Sequence, residues 1–183
     1  MDDGFLIRQT LSGNRNAFRL LVVRYQRPIF RFLGGFAVEP AVVEELAQET
    51  FLRAYRSLSA FDSSQSAFSS WLFTIAKHLV LNETARSSRR LPHVAVVDDA
   101  VDAAIFETPP ASEQVENIER SSLVRRALEA LPTPLRSALV LAYMKEHSLE
   151  EIATIEGCSV GAVKSRIYRG KQLLRLRLAG MEE

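Results

Sequence analysis

Six cationic side chains, Lys164, Arg166, Arg169, Lys171, Arg175 and Arg177, fall between Val160 and Leu178 with no acid among them. Charges of one sign on one short stretch pair with phosphates, and Lys and Arg also reach base edges in a major groove. That chemistry is binding, not bond-making. A second set mixes aromatic and basic groups: Trp71, Lys77, His78, Asn82, Arg86, Arg89 and Arg90. Bases stack on aromatic rings while Lys or Arg pairs with phosphates, which suits a single or opened DNA strand. The alternative is equally open on pattern alone: Trp71 in the core and a solvated basic helix end, favoured by the helix dipole. Phe61, in a polar loop, is either a lid on the core or a stacking platform. Covalent chemistry has little to work with. His78, His93 and His147 lie on different expected elements without metal-ligand spacing, and no G-x-x-x-x-G-K-[ST] run is present. The expectation is no enzyme, no metal, no cofactor and no small-molecule substrate.

The elements that would hold the basic run are two helices and a tight turn, within Ser148–Leu178. Ser148 and Glu151 form a capping box for the first helix. Leu149, Ile152, Ala153 and Ile155 give it an apolar side. Gly157 marks a sharp turn that calls for positive φ. Ser159 caps the second helix, and Val160, Val163 and Ile167 share one face that can return to the first. A helix anchored by an apolar seam and basic elsewhere is the arrangement of a DNA-reading helix-turn-helix.

Composition sets limits. The 183 residues allow one ordinary domain or two small ones, and 47% hydrophobic content supports a packed core. Net charge is +1, so any nucleic-acid binding must come from local segregation of charge. The single cysteine, Cys158, excludes an intrachain disulfide and reads as a packing residue. Asp2 and Asp3 do not suit a signal peptide, and no apolar run is long enough to span a bilayer. A cytoplasmic protein is expected.

Helical periodicity runs through the chain. Phe5–Leu11 is a short helix. Asn16–Phe32 is a longer one that Pro28 should kink or divide. Pro40–Ser57 follows, with Val43, Leu46, Ala47, Phe51, Ala54 and Tyr55 as its buried stripe. After the loop Leu58–Ser66, Ser66 should cap a helix reaching Arg89, with Phe68, Leu72, Ile75, Ala76 and Leu79 inward. From Leu91 to Glu119 every charged residue is acidic, which reads as a linker. Ser112 and Thr133 should cap two further helices, the second facing Leu135, Ala138, Leu139, Ala142 and Tyr143 inward. No period-two strand of any length is visible. The fold class is all-α: a helical domain over 1–90, a linker over 91–111 and a helical domain over 112–183.

Three stretches, EELAQETFLRAYRSL, FDSSQSAFSSWLFTIAKHLVLNETARSSRR and ALEALPTPLRSALVLAYMKEHSLEEIATIEGCSVGAVKSRIYRGKQLL, together resemble bacterial sigma factors of the extracytoplasmic-function (ECF) group. The resemblance implies region 2 and region 4 of that family, and a protein that binds core RNA polymerase, directs it to promoter DNA and helps open it. It implies that Glu45, Leu46, Gln48 and Glu49 meet the clamp helices of the largest polymerase subunit, with the flap as a further contact. It implies that Phe61, Asp62 and Ser63 belong to a loop capturing a flipped base. Trp71, Lys77, His78, Asn82 and Arg86 would lie on the helix that reads and melts the −10 element. Lys164, Ser165, Tyr168 and Arg169 would face the −35 element, with Arg166 on a phosphate. A partner of the anti-sigma class, often membrane-bound in this family, is implied too.

The chain departs from the family at Lys77-His78, where Arg-Asn is common, and at Asn82, where Asp is frequent. His78 is a donor and acceptor of different shape, which leaves the preferred −10 sequence open but not the role. Ser63, Ser64, Gln65 and Ser66 make a neutral loop where the family's is often basic or proline-containing. The acidic linker is either a passive tether or a mimic of nucleic acid in polymerase's cationic channels. The rival reading is a one-component helix-turn-helix regulator, against which the EELAQETF and Trp71 helices argue.

Overall fold

The computed structural model describes residues 2–36, 39–90, 123–144 and 146–180, and these are helical with no strand. Helix α1 is Asp3–Leu11, and Gly13 closes it at φ 99°. Helix α2 is Arg15–Gly34, begun by Asn14, whose side chain accepts from the Asn16 N–H at 3.1 Å. Tyr25 of α2 donates to Asp3 at 2.5 Å and Arg24 pairs with the same carboxylate, so the two helices are tied at their polar edge. Of the kink or division expected at Pro28, division does not occur: α2 is one continuous helix through it. A proline removes one helical donor, but Ile29, Phe32 and Leu33, immediately beyond it, are fully buried, and their packing keeps the helix going.

Helix α3, Pro40–Arg56, starts with its proline in the first turn and buries Val43, Leu46, Ala47, Thr50, Phe51 and Ala54. Thr50 takes an inward position because its hydroxyl donates to the Leu46 carbonyl at 2.7 Å. Tyr55, expected inward, is 41% exposed. A 3-10 turn over Leu58–Ala60 leads to α4, Phe68–Arg90. Ser66 lies one place too early to cap it: Ala67 holds that position, its carbonyl accepting from the Trp71 N–H. Helix α4 buries Phe68, Leu72, Phe73, Ala76, Leu79 and Val80, with Ile75 only half-buried.

The second half has α5 (123–129), α6 (Thr133–Met144), α7 (Leu149–Glu156) and α8 (Val160–Ala179). The Ser112 cap, the acidic linker and His93 lie outside the described residues. The α6 cap falls to Pro132, whose carbonyl accepts from Leu135 and Arg136, and not to Thr133. Helix α6 buries Ala138, Leu139 and Leu141, while Tyr143, expected inward, is 62% exposed. Its ring carries the Lys171 ammonium at 5.6 Å instead. Gly170 lets α8 close on α6, since a Cβ there would stand 2.7 Å from Leu139.

The two halves are not merely tethered. Helix α7 lies against α4, α6 touches α2, and Leu141, Ile152, Ala153, Ile155 and Val163 share one apolar core with the first four helices. Apolar burial at about 25 cal/mol per Å2 is non-directional, so register must come from specific contacts. Three polar contacts supply it. Lys77 donates to the Ile155 carbonyl at 2.6 Å, Arg136 to the Phe36 carbonyl at 3.1 Å, and Arg31 faces Glu146 at 3.7 Å. Arg136 also donates to the carbonyls of Glu129 and Leu131, so its buried guanidinium caps α5 while reaching the other half.

Candidate nucleic-acid and polymerase interface

The helix-turn-helix is built as its spacing requires. Ser148 Oγ accepts from the Glu151 N–H at 3.2 Å, and the Glu151 carboxylate accepts from the Ser148 N–H at 2.8 Å. Gly157 sits in the left-handed region at φ 64°, and the Cys158 N–H returns to the Ala153 carbonyl at 3.0 Å. Ser159 Oγ accepts from Ala162, and Val163 is fully buried between Val160 and Ile167, both packed on the core. This seam fixes the rotation of α8. Lys164, Tyr168 and Arg169 then face outward, and Ser165 is half-exposed beside them.

Arg166 is placed differently. Its guanidinium pairs with Glu156 at 2.8 Å, and that carboxylate, only 4% exposed, also accepts from Ser137 at 2.6 Å. Glu156 thereby joins α6, α7 and α8. In this arrangement Arg166 holds the turn together, with its side chain 29% exposed. Glu156 and Ser137 were not singled out from sequence; an acid just before a turn glycine, ten residues ahead of an arginine, is too weak a signal.

On the first half, Phe61 is a lid. Its ring meets Phe68 at 5.6 Å and Trp71 at 5.1 Å, so the three aromatics form one cluster at the start of α4, with Phe68 buried and Phe61 and Trp71 half-buried. Asp62 beside it accepts from the Ser64 hydroxyl at 2.7 Å, the Ser64 N–H at 2.9 Å and Gln65 at 2.9 Å. Those donors, the Ser64 hydroxyl foremost, hold its carboxyl below the usual range. The loop is thus preshaped by an ionised aspartate, with Ser63 exposed. Along α4, His78, Asn82 and Arg86 are exposed, Arg86 beside Glu83 at 3.3 Å. The side chains of Arg89 and Arg90 lie outside the described residues. Lys77, expected at the surface, is 8% exposed and engaged by Ile155. Its neighbours on the inward side of α4 draw it under α7.

On α3, Glu45 and Gln48 are exposed and Glu49 pairs with Arg53 at 2.6 Å. Leu46 is buried, so it anchors the helix from beneath and does not itself reach outward. Leu52, one turn beyond Gln48, is 41% exposed and was not expected there. With Phe18, Val22 and Tyr55 it lines a shallow groove of about 520 Å3 whose edge carries Arg15 and Arg19.

Among the described residues no group of His, Cys, Asp and Glu could hold a metal, and no helix is long and apolar enough to cross a membrane. Residues 21–90 match the Sigma-70 region 2 family and residues 121–174 the Sigma-70 region 4 family. The ECF RNA polymerase sigma-E factor of Escherichia coli (strain K12) is 36% identical over 181 residues, covering 95% of this chain and 93% of that protein. The RNA polymerase sigma-H factor of Pseudomonas aeruginosa is 36% identical over 179 residues, 94% of this chain and 91% of that one. Among solved structures, CnrH in complex with the cytosolic domain of CnrY superposes with a TM-score of 0.71 at 28% identity, covering 97% of both chains. The sigma factor RpoE of Bartonella quintana, in complex with the anti-sigma factor NepR, shares the fold with a TM-score of 0.69 at 22% identity, over 88% of this chain and 96% of that one. The chain belongs to the ECF group of RNA polymerase sigma factors, non-enzymatic initiation factors that direct core polymerase to promoters.

Proposed function

We propose that the two halves divide promoter recognition between them. Residues 112–183 dock α8 in the major groove of the −35 element through Lys164, Ser165, Tyr168 and Arg169. The observation that carries this is the orientation of α8: a buried seam at Val160, Val163 and Ile167 leaves those side chains on the open face. Phosphates then give affinity and a few side chains give sequence. Residues 1–90 hold the opened −10 element along α4, with Trp71, His78, Asn82 and Arg86 reachable and Lys77 once α7 moves away. The Phe61–Ser63 loop takes a flipped base, Phe61 leaving its place on Trp71 to admit it. Unpairing a base costs a few kcal/mol, and stacking in a pocket offsets part of that.

Core polymerase is held by the exposed face of α3: Glu45, Gln48 and Glu49, extended by Leu52 and Tyr55, with Leu46 setting the helix position from below. This face meets the clamp helices of the largest subunit, and the second half meets the flap. The work is done in the cytoplasm. Solved structures of CnrH with the cytosolic domain of CnrY, and of a sigma factor with an anti-sigma factor, support a partner of the anti-sigma class for this chain. The test is binding to core polymerase: replacing Glu45 and Gln48 with Ala should weaken it at least tenfold while the chain stays folded. Unaltered binding would remove α3 from the interface.

A further inference from the structure

The seam between the halves contains a group that none of these roles uses. His147 lies in the short link between α6 and the Ser148 cap, and its ring stands edge-on to Phe73 of α4, centroids 4.5 Å apart. Both ring nitrogens are buried, and neither has a hydrogen-bond partner among the described residues. A neutral imidazole normally donates through one nitrogen and accepts through the other, so this one is held in place by packing alone. We propose that His147 is a proton-operated release for the contact between the two halves: neutral, it rests on Phe73 and the halves stay together; protonated, it parts them and frees Lys77.

The surrounding charges stabilise an imidazolium only weakly. On α7 the nearest carboxylate, Glu151, is occupied by the Ser148 N–H in the capping box. Glu146, beside His147 in the chain, faces Arg31 of α2. On α4 the charged group toward α7 is the Lys77 ammonium, of the same sign as the added proton. A proton on His147 would therefore sit on buried nitrogens against Phe73, with its nearest carboxylate already engaged in the capping box. Burial pulls the imidazole below its ordinary 6.5, and Glu151 opposes this only in part. The sign follows from linkage. The closed form binds the proton more weakly than the open form, where the ring is hydrated. Closure is at full strength above the ordinary imidazole value and weakens as pH falls below it, by at most about tenfold per pH unit for one proton. That the freed Lys77 then serves DNA rests on the role proposed above for α4; the release itself does not.

The experiment uses the full chain with Cys158→Ala and spin labels on Gln26→Cys of α2 and Arg175→Cys of α8, with distances read by pulsed electron resonance. One narrow distance is expected at about pH 8, and a second, longer and broader population should grow toward about pH 5.5. His147→Phe keeps the ring and removes the proton site, so it should stay closed throughout, with far-ultraviolet dichroism confirming its helices. His147→Gln gives the same comparison should the phenylalanine variant fail to fold. Nuclear magnetic resonance of the native imidazole should titrate below 6.5. A chain already open at the upper pH, a distance that ignores pH, the same transition in the histidine-free variants, or an imidazole midpoint at or above the ordinary value would each overturn the proposal.

Discussion

Lys77 and Ile155, 78 positions apart, meet through a single hydrogen bond in which the ammonium donates to the last-turn carbonyl of α7 at 2.6 Å. The bond joins the helix proposed to read opened DNA to the first helix of the helix-turn-helix. It satisfies a C-terminal carbonyl with a cation, which the helix dipole also favours. One side chain is thereby asked to serve two partners, and it cannot serve both at once. Replacing Lys77 with Met should loosen the closed form by about 1–2 kcal/mol, within the range for a hydrogen bond to a charged group less the benefit of removing a buried ammonium. Urea unfolding of the full chain measures it, and a variant as stable as the parent would show the bond to be incidental.

Gly35 sets how closely α6 approaches α2. A Cβ there would lie 2.7 Å from one methyl of Val140 and 2.8 Å from the other. Gly35→Ala should therefore cost about 1–3 kcal/mol by overpacking. Adding Val140→Ala makes room and should return part of that loss. A double-mutant cycle by urea titration reads the coupling, and additive losses would mean that the two residues do not touch in solution.

The turn of the helix-turn-helix rests on local terms that can be removed one at a time. Ser148→Ala should cost about 1 kcal/mol through loss of the capping box. Gly157→Ala should cost about 1–2 kcal/mol, because an alanine Cβ is strained in the left-handed region. Thermal melts report both. Losses below a few tenths would show that tertiary packing, not the caps, holds this turn.

Arg166 and Lys164, two residues apart on α8, should separate cleanly. Arg166→Met leaves Glu156 buried with only Ser137 as partner, and should destabilise the second half by about 1–2 kcal/mol, discounted from a fully buried pair for the partial exposure of the arginine. Lys164→Ala should leave the melt unchanged and weaken holoenzyme at its promoters by about 1–3 kcal/mol, roughly the worth of one base contact. Melting curves and promoter-binding isotherms on the same two variants decide it, and the reverse pattern would place Arg166 on the DNA.

The parts of the structure that were legible in sequence are those decided within one turn. Ser148 with Glu151, Gly157 and Ser159 each act on backbone a few residues away, so spacing alone located them. The apolar seam of Val160, Val163 and Ile167 was legible in the same way, while Lys164, Tyr168 and Arg169 were singled out by the family resemblance. What could not be read depends on partners far along the chain. Lys77 carries a charge and so reads as a surface residue until α7 covers it. Arg136 and His147 give no local sign that they reach the other half. Gly35 and Gly170 give no sign in sequence that another helix passes close to each. Leu46 belongs to a surface motif by resemblance but to the core by helical phase, and phase decides where its side chain lies. Pro28 shows the opposite error, a strong local breaker overruled by the burial of Ile29, Phe32 and Leu33.

Initiation itself is the most direct test, since neither half is expected to find or open a promoter without polymerase. Run-off transcription would be measured with core polymerase, with the purified chain, and with both, on a pool of genomic promoter fragments. The account predicts defined transcripts only when both are present, and weak or no sequence-specific binding by the lone chain. Absence of transcripts from every fragment, or tight specific promoter binding by the chain alone, would contradict it.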